Sequence, residues 1–579
     1  MARLLFLLLL LLPAAPAPAQ TAPAIAGRHM LAVPDARAAE AGLAVLREGG
    51  SAVDAAIAAQ AVLTLVEPHA SGIGGGALML HWDAAARRLS AWDGREVAPA
   101  AATPDLFLRP DGTPMGFHEA AVGGRAVGVP GALRMLEAAH REHGRLPWAR
   151  LFAPAVALAE EGFAVSPRLA DTIAREAERL GRDPAARAAF LLPDGSPPPA
   201  GHRLRSPALA ATLRAVAEGG ADALHRGPVA AAIAQAVRTN PNPGGMTPDE
   251  LAGYAPVRRE ALCAPYRVFV VCGFPPPSSG GVATLQILSF LSHQDMPALG
   301  PLRPGHGAAQ ALDAALLLGE AGRLAFADRN RFLADADVVP VPVRGLLDPV
   351  YLLARAQMLD RDRALAPPLP RPGNPPRGPA APPASQPPQP ENGTSHLSIV
   401  DGHGNAVALT TTVEDAFGAR IVAAGMVLNN QLTDFSFLPE IGGRPVANAV
   451  APGKRPRSSM SPTIVFGADA SPVAVVGSAG GSRIIGHVAQ TLVAMLDWGL
   501  DPQEAVALPR VGGRDGVVEL EAGTPAAALA DSLRERGVPV EVRTNASGLH
   551  AIRIGRGPDG GRRLLGGADP RREGVAVGD

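Results

Sequence analysis

The chain has 579 residues, 47% of them hydrophobic, enough for a large buried core and too apolar for a disordered protein. Its 53 basic and 54 acidic side chains nearly cancel, and no block of like charge stands out. This argues against nucleic acid or an anionic membrane as the main partner and favours a small, near-neutral ligand.

At the N-terminus, Arg3 precedes nine apolar residues, Leu4 to Leu12, and then Ala17-Pro18-Ala19, a small-x-small pattern. Residues 1–19 are therefore predicted to be a secretory signal peptide. Nine residues are too few to span a bilayer and no later run approaches the ~20 required. The mature chain is expected to be secreted, into a bacterial periplasm, without a membrane anchor. Next, Ser51 and Asp54 form a capping-box start for a helix that stops at Pro68. That helix is apolar nearly all round, so it should be buried. The glycine-rich break SGIGGG leads into strands around ALMLHW and RLSAWDG, and residues 128–235 read as mostly helical. His140 and His143 sit at i, i+3, but no acidic or cysteine ligand set accompanies them; they read as a solvated helix face, and no metal is expected.

Cys263 and Cys272 flank Pro265-Tyr266-Arg267 symmetrically, as in a hairpin centred there. In an exported chain this leaves two readings, a cross-strand disulfide and two buried free thiols. Strand VFVVCGF, the loop PPPSSGGV and a helix follow. Residues 366–390 hold 12 prolines in 25 positions, which predicts an exposed linker. Beyond it, LSIVD and AVALTTTV alternate with period two around GHGN, a hairpin signal. Strands PTIVF and PVAVVG then lead through Gly480-Gly481 into a helix with Ile484, Val488, Leu492 and Met495 on one face. Strands in antiparallel sets and helices in separate runs favour a layered α+β arrangement over a parallel βαβ sheet.

The proline tract ends at Asn392-Gly393-Thr394, directly before a strand, which suggests a cut between Gly393 and Thr394. A freed Thr394 has both a hydroxyl and an α-amine of pKa roughly 7.7 to 8.0, so one residue supplies nucleophile and base. The stretches TSHLSIVDGHGNAVALTTTVEDAFG, LNNQLTDF, KRPRSSMSPTIV, GSAGGSRII, DGREVAP, PPPSSGG and AFADR follow one another as motifs of the γ-glutamyltranspeptidases do, from about residue 27 to 515. The chain resembles that family of N-terminal nucleophile hydrolases.

The resemblance implies an αββα four-layer sandwich with two stacked antiparallel sheets flanked by helices. It also implies a precursor that cuts itself at Gly393-Thr394 into a large subunit, 20–393, and a small subunit, 394–579, paired as a heterodimer. The reaction implied is hydrolysis or transfer of the γ-glutamyl group of glutathione to water, an amino acid or a peptide, through an ester on Thr394 and without a cofactor. Thr412 would hydrogen-bond the nucleophile, and Gly480 and Gly481 would hold the oxyanion. Arg95, with Ser458 and Ser459, would grip the donor's α-carboxylate; Glu414, Gln431 and Asp434 would hold its α-ammonium. Residues 435–457 lack the lid tyrosine of some relatives and are short and broken by Gly and Pro, which predicts an open site. Two alternatives share the fold: a glutaryl or cephalosporin-type acylase, and a non-catalytic secreted binding protein.

Overall fold

Period-two alternation of side chains divides the molecule into layers. The structure is a computed structural model that describes residues 20–301, 307–365, 370–390, 393–545 and 547–579; the expected signal peptide, 1–19, lies outside the described residues. Ahead of the proline tract come β1 (Ala24–Ala26), β2 (Met30–Val33), β3 (Gly76–Asp83), β4 (Arg88–Gly94), β5 (Val257–Arg259), β6 (Leu262–Tyr266) and β7 (Phe269–Gly273). After it come β8 (Ser395–Val400), β9 (Ala406–Thr412), β10 (Thr463–Phe466), β11 (Pro472–Gly477), β12 (His550–Arg556), β13 (Arg562–Ala568) and β14 (Val575–Gly578). They build two seven-stranded sheets, in the orders β1-β13-β12-β11-β10-β7-β6 and β14-β2-β8-β9-β3-β4-β5.

Leu31 and Val33 of β2 join the core under the outer helices, whereas Met30 and Ala32 join the core between the sheets; Leu397 and Ile399 divide from Val400 in the same way. Helices α1 (Ala36–Arg47) and α2 (Ala52–Val66) cover the second sheet, and α3 (Gly280–Ser292), α4 (Ala308–Phe332) and α5 (Ile484–Leu496) cover the first. The result is the αββα sandwich. Helix α2 starts on the Ser51–Asp54 capping box, and all its residues are buried, so its uniformly apolar surface is used on every side.

Two inward positions of β8, His396 and Ser398, are polar. His396 is fully buried between Thr410 Oγ1 at 2.8 Å and Ser398 Oγ at 3.1 Å, and burial holds its pKa well below the usual histidine range. Gly477 on β11 makes room for the ring: a Cβ there would stand 2.1 Å from His396 Cε1.

Three expectations need correction or completion. Cys263 and Cys272 are opposite each other on β6 and β7 and form a disulfide, but the turn is Arg267-Val268, with Arg267 at φ +55°, so Pro265 and Tyr266 belong to β6. The described part of the proline tract keeps many exposed residues, as expected of a linker, but it also lies against the body. Prolines keep it out of helix and sheet, yet the residues between them bond to the body: Gly373 N–H to Asp328 at 2.8 Å, Ala384 N–H to the Pro445 carbonyl at 2.9 Å, Gln386 N–H to the Asn330 carbonyl at 2.8 Å. Finally, His140 and His143 do not face solvent freely. His143 is half-buried against the His81 ring, 4.1 Å between centroids, and His140 Nε2 meets the Leu146 carbonyl at 3.0 Å.

Candidate active site

Thr394 is the residue just before β8, which runs between β2 and β9 inside the second sheet, and it is 2% exposed. The peptide ahead of it is held on both sides. Gly393 N–H donates to the Glu414 carbonyl, and its carbonyl accepts from Thr412 Oγ1 at 3.1 Å and from the Thr394 hydroxyl. A Cβ on residue 393 would stand 2.4 Å from the Glu414 carbonyl oxygen, so the close approach requires glycine. In the continuous chain Thr412 therefore touches the Gly393 carbonyl and also accepts from Glu414 N–H at 2.8 Å. Arg572 donates to the Thr394 carbonyl at 3.0 Å.

Gly480 and Gly481 lie between β11 and α5 at φ +129° and +58°, conformations that favour glycine. Gly481 lines the same cleft as Thr394, whereas Gly480 lines a larger cleft that adjoins it at Gly393.

In the lining of the same cleft a charged pair is assembled from distant segments. Arg95 follows β4 in a turn closed by Asp93, which accepts from Arg95 N–H at 2.8 Å. Its guanidinium is 1% exposed, donates to the Pro456 and Arg457 carbonyls at 3.0 and 3.2 Å, and pairs directly with Asp434. The 3₁₀ turn Gln431–Asp434 brings i and i+3 together, so Gln431 Nε2 donates to Asp434 at 2.7 Å.

Glu414, at φ +83°, accepts from Asn430 and, at 3.1 Å, from Thr433. Burial first, then the charges of Asp434 and Asp415, pushes its pKa well above the usual carboxylate range. Two buried acceptors here, Glu414 Oε1 and Gln431 Oε1, have no described hydrogen-bond partner.

Ser458 and Ser459 are held from behind. Ser459 Oγ accepts from Arg329 at 2.5 Å, Ser458 Oγ accepts from Met460 N–H at 3.0 Å, and Ser279 Oγ and N–H both donate to the Ser458 carbonyl at 2.7 Å. The PPPSSGG loop thus supports the serines from outside the cleft.

The structure brings Gly393, Thr394, Thr412, Glu414 and Gly481 together with Arg95, Gln431, Asp434, Ser458 and Ser459 around one cleft of about 240 Å³, its open mouth included. Of the singled-out residues, Gly480 borders the neighbouring cleft, and the Cys263–Cys272 bridge lies on β6 and β7. No residue of the 435–457 segment lines the cleft; it carries a small hairpin of Glu440–Ile441 with Arg444–Pro445.

Four residues were missed from the sequence. Asn430, Arg329 and Glu96 lie inside motifs already quoted, but their roles depend on side-chain contacts that no spacing displays. Arg572, in DPRRE, has no motif at all. Glu96 is fully buried 3.6 Å from Arg95, with neither carboxylate oxygen hydrogen-bonded to a described residue, and burial pushes its pKa up to about 8. Gly76 leaves it space, since a Cβ there would stand 2.2 Å from Oε2.

The family described as Gamma-glutamyltranspeptidase matches residues 38–579. The glutathione hydrolase proenzyme of Bacillus subtilis (strain 168) is 38% identical, over 83% of this chain and 80% of that protein. The glutathione hydrolase proenzyme of Escherichia coli (strain K12) is 37% identical, over 95% of this chain and 91% of that protein. Among solved structures, a cephalosporin acylase from Bacillus halodurans superposes with a TM-score of 0.81 at 27% identity, covering 99% of both chains.

Proposed function

Because the chain belongs to the gamma-glutamyltranspeptidase family, an enzyme family, we propose that it cuts itself at Gly393-Thr394 and then hydrolyses or transfers the γ-glutamyl group of glutathione or a related amide. The observation that carries this reading is the set of acceptors beside Arg95. An ammonium donates three hydrogen bonds, and beside Arg95 lie the Asp434 carboxylate, which also accepts from Arg95 and Gln431, and two oxygens with no hydrogen-bond partner among the described residues, Glu414 Oε1 and Gln431 Oε1. Arg95 with Ser458 and Ser459 offers the complementary donors for a carboxylate. The cleft thus offers partners for both charged groups on an amino acid's α-carbon, with Thr394 in the same lining.

In the self-cleavage, Thr394 Oγ attacks the Gly393 carbonyl carbon while Thr412 polarises the carbonyl oxygen. The C–N bond breaks, nitrogen takes the hydroxyl proton, and Gly393 is left as an ester on Oγ. Water opens the ester, giving a Gly393 carboxylate and a free Thr394. In turnover, the α-amine of Thr394 accepts its own hydroxyl proton as Oγ attacks the γ-carbonyl carbon. Gly480 and Gly481 N–H groups receive the oxyanion. The C–N bond breaks, the departing amine takes the proton, and a γ-glutamyl ester remains. Water or an acceptor amine then attacks the ester, its proton passes to the α-amine, and Oγ departs with a proton returned to it. With no residue of 435–457 over the cleft, water competes strongly for the ester.

The likeness to a cephalosporin acylase favours a second reading, removal of a glutaryl group. A glutaryl group has no ammonium and would leave the acceptors at Asp434, Glu414 and Gln431 unused. Glutathione and its analogue lacking the α-amine, compared by kcat/KM, decide the matter. A preference for glutathione above about a hundredfold, near 2.7 kcal/mol, supports the γ-glutamyl reading. Preference for the deaminated analogue makes the protein an acylase, and an uncut chain that cleaves neither makes it a binding protein.

A further inference from the structure

Beside the donor cleft lies a larger one, about 1170 Å³ with its open mouth included. Gly393 lines both, with Gly481 on the donor side and Gly480 on this side. An amide whose acyl half fills the donor cleft and whose carbonyl lies over Thr394 therefore directs its amine half here.

The lining of this second cleft is one-sided in charge. It contains Arg168, Arg175, Arg483, Arg543 and Arg572, and no carboxylate. Its two histidines, His69 and His487, are held neutral by burial, which pushes both well below the usual histidine range. The nearby acids do not balance the arginines. Glu519 is shared among Arg483, Arg514 and Arg543, Arg543 also pairs with Glu541 at 3.3 Å, and Glu67 pairs with Arg168. Among the described residues no carboxylate lies within ion-pair distance of Arg175, whose side chain reaches only Thr172 Oγ1 at 3.0 Å. A concave wall of guanidinium groups concentrates anions, and each planar fork matches a carboxylate.

We propose that this cleft is the subsite for the amine half of the reaction, and that it selects leaving groups and acceptors bearing two or more carboxylates, such as acidic amino acids and acidic peptides. The inference rests on the γ-glutamyl reading above and extends it to the other side of the broken bond. The chemistry is unchanged: the acidic amine departs from the γ-carbonyl with the proton held by the Thr394 α-amine, or attacks the ester and returns that proton.

The test uses two donors of equal shape, γ-glutamyl-glutamate and the analogue in which both carboxylates of the leaving residue are amides. The ratio of their kcat/KM values is measured for the processed enzyme and for the double variant Arg175→Gln, Arg543→Gln; both side chains are exposed, and a ratio is insensitive to the amount of folded, processed protein. The diacid is expected to be favoured at least about tenfold at low salt, and the preference to fall severalfold in the double variant and in high salt, since exposed charges are screened. Equal constants for the two donors in the unaltered enzyme, or a preference that survives the double substitution, overturns the subsite while leaving the γ-glutamyl reading intact. Failure of the processed enzyme to cleave either donor overturns both.

Discussion

Arg95 and Glu96 are adjacent in sequence but have opposite needs. Arg95 is a fork held in place through Nε and one terminal nitrogen by Asp434 and two carbonyls, so Arg95→Lys keeps the charge and loses the geometry. A lost charged hydrogen bond costs about 1.5–3 kcal/mol, so kcat/KM for glutathione should fall roughly ten- to a hundredfold. Self-cleavage should continue, and unchanged kinetics would remove Arg95 from the donor site. Glu96 is an acid buried without a hydrogen-bond partner among the described residues, and its pKa of about 8 lies above its unfolded value of roughly 4.3. The folded state therefore binds the proton more tightly, and Glu96's contribution to stability is complete at low pH and lost as the pH rises toward 8. Glu96→Gln removes this dependence. Its Tm relative to the unaltered protein should rise between about pH 5 and about pH 8, and a constant difference across that range would show that Glu96 does not titrate there. Most residues that line the cleft beside Thr394 were readable in the sequence because they sit in a few short motifs. Their pairing was not: Arg95 and Asp434 are 339 positions apart, and their direct contact with each other appears only in the folded chain.

At the scale of elements, the hairpin β8–β9 was legible because its alternation is local and both ends are marked by polar turn residues. Strand neighbours were less so, since β11 meets β8 only through the stacking of two sheets. Gly477 shows the consequence. In sequence it is one glycine among 65, yet it faces His396, a ring fixed by two hydrogen bonds and unable to retreat. Gly477→Ala should cost about 1–3 kcal/mol or more, as overpacking of a rigid core does. Denaturant unfolding of the variant measures this, and a loss below about 0.5 kcal/mol would mean the ring can move aside. The proline tract was legible in part for a related reason: composition reports which regular structures are forbidden, not whether the chain also lies against a surface. Gly373, Ala384 and Gln386 make the contacts that its prolines cannot.

For the whole molecule, the sheet order has a direct consequence. Strand β1 pairs with β13, β7 with β10, β2 with both β8 and β14, and β3 with β9, so five ladders join residues before Gly393 to residues after it. A cut at Gly393-Thr394 breaks none of them. The two pieces should migrate as one particle under native conditions and separate only in denaturant; spontaneous dissociation after cleavage would contradict this interleaving. The central claim is that one hydroxyl, that of Thr394, both cuts the chain and carries the γ-glutamyl group. Intact-mass spectrometry of purified protein, alone and quenched in acid during turnover of a γ-glutamyl donor, tests it most directly. Expected are a C-terminal piece of 186 residues beginning at Thr394, which gains the mass of one γ-glutamyl group at that residue during turnover, and an uncut, unlabelled chain for Thr394→Ala. Cleavage at another bond, normal processing of Thr394→Ala, or label on the N-terminal piece would contradict it.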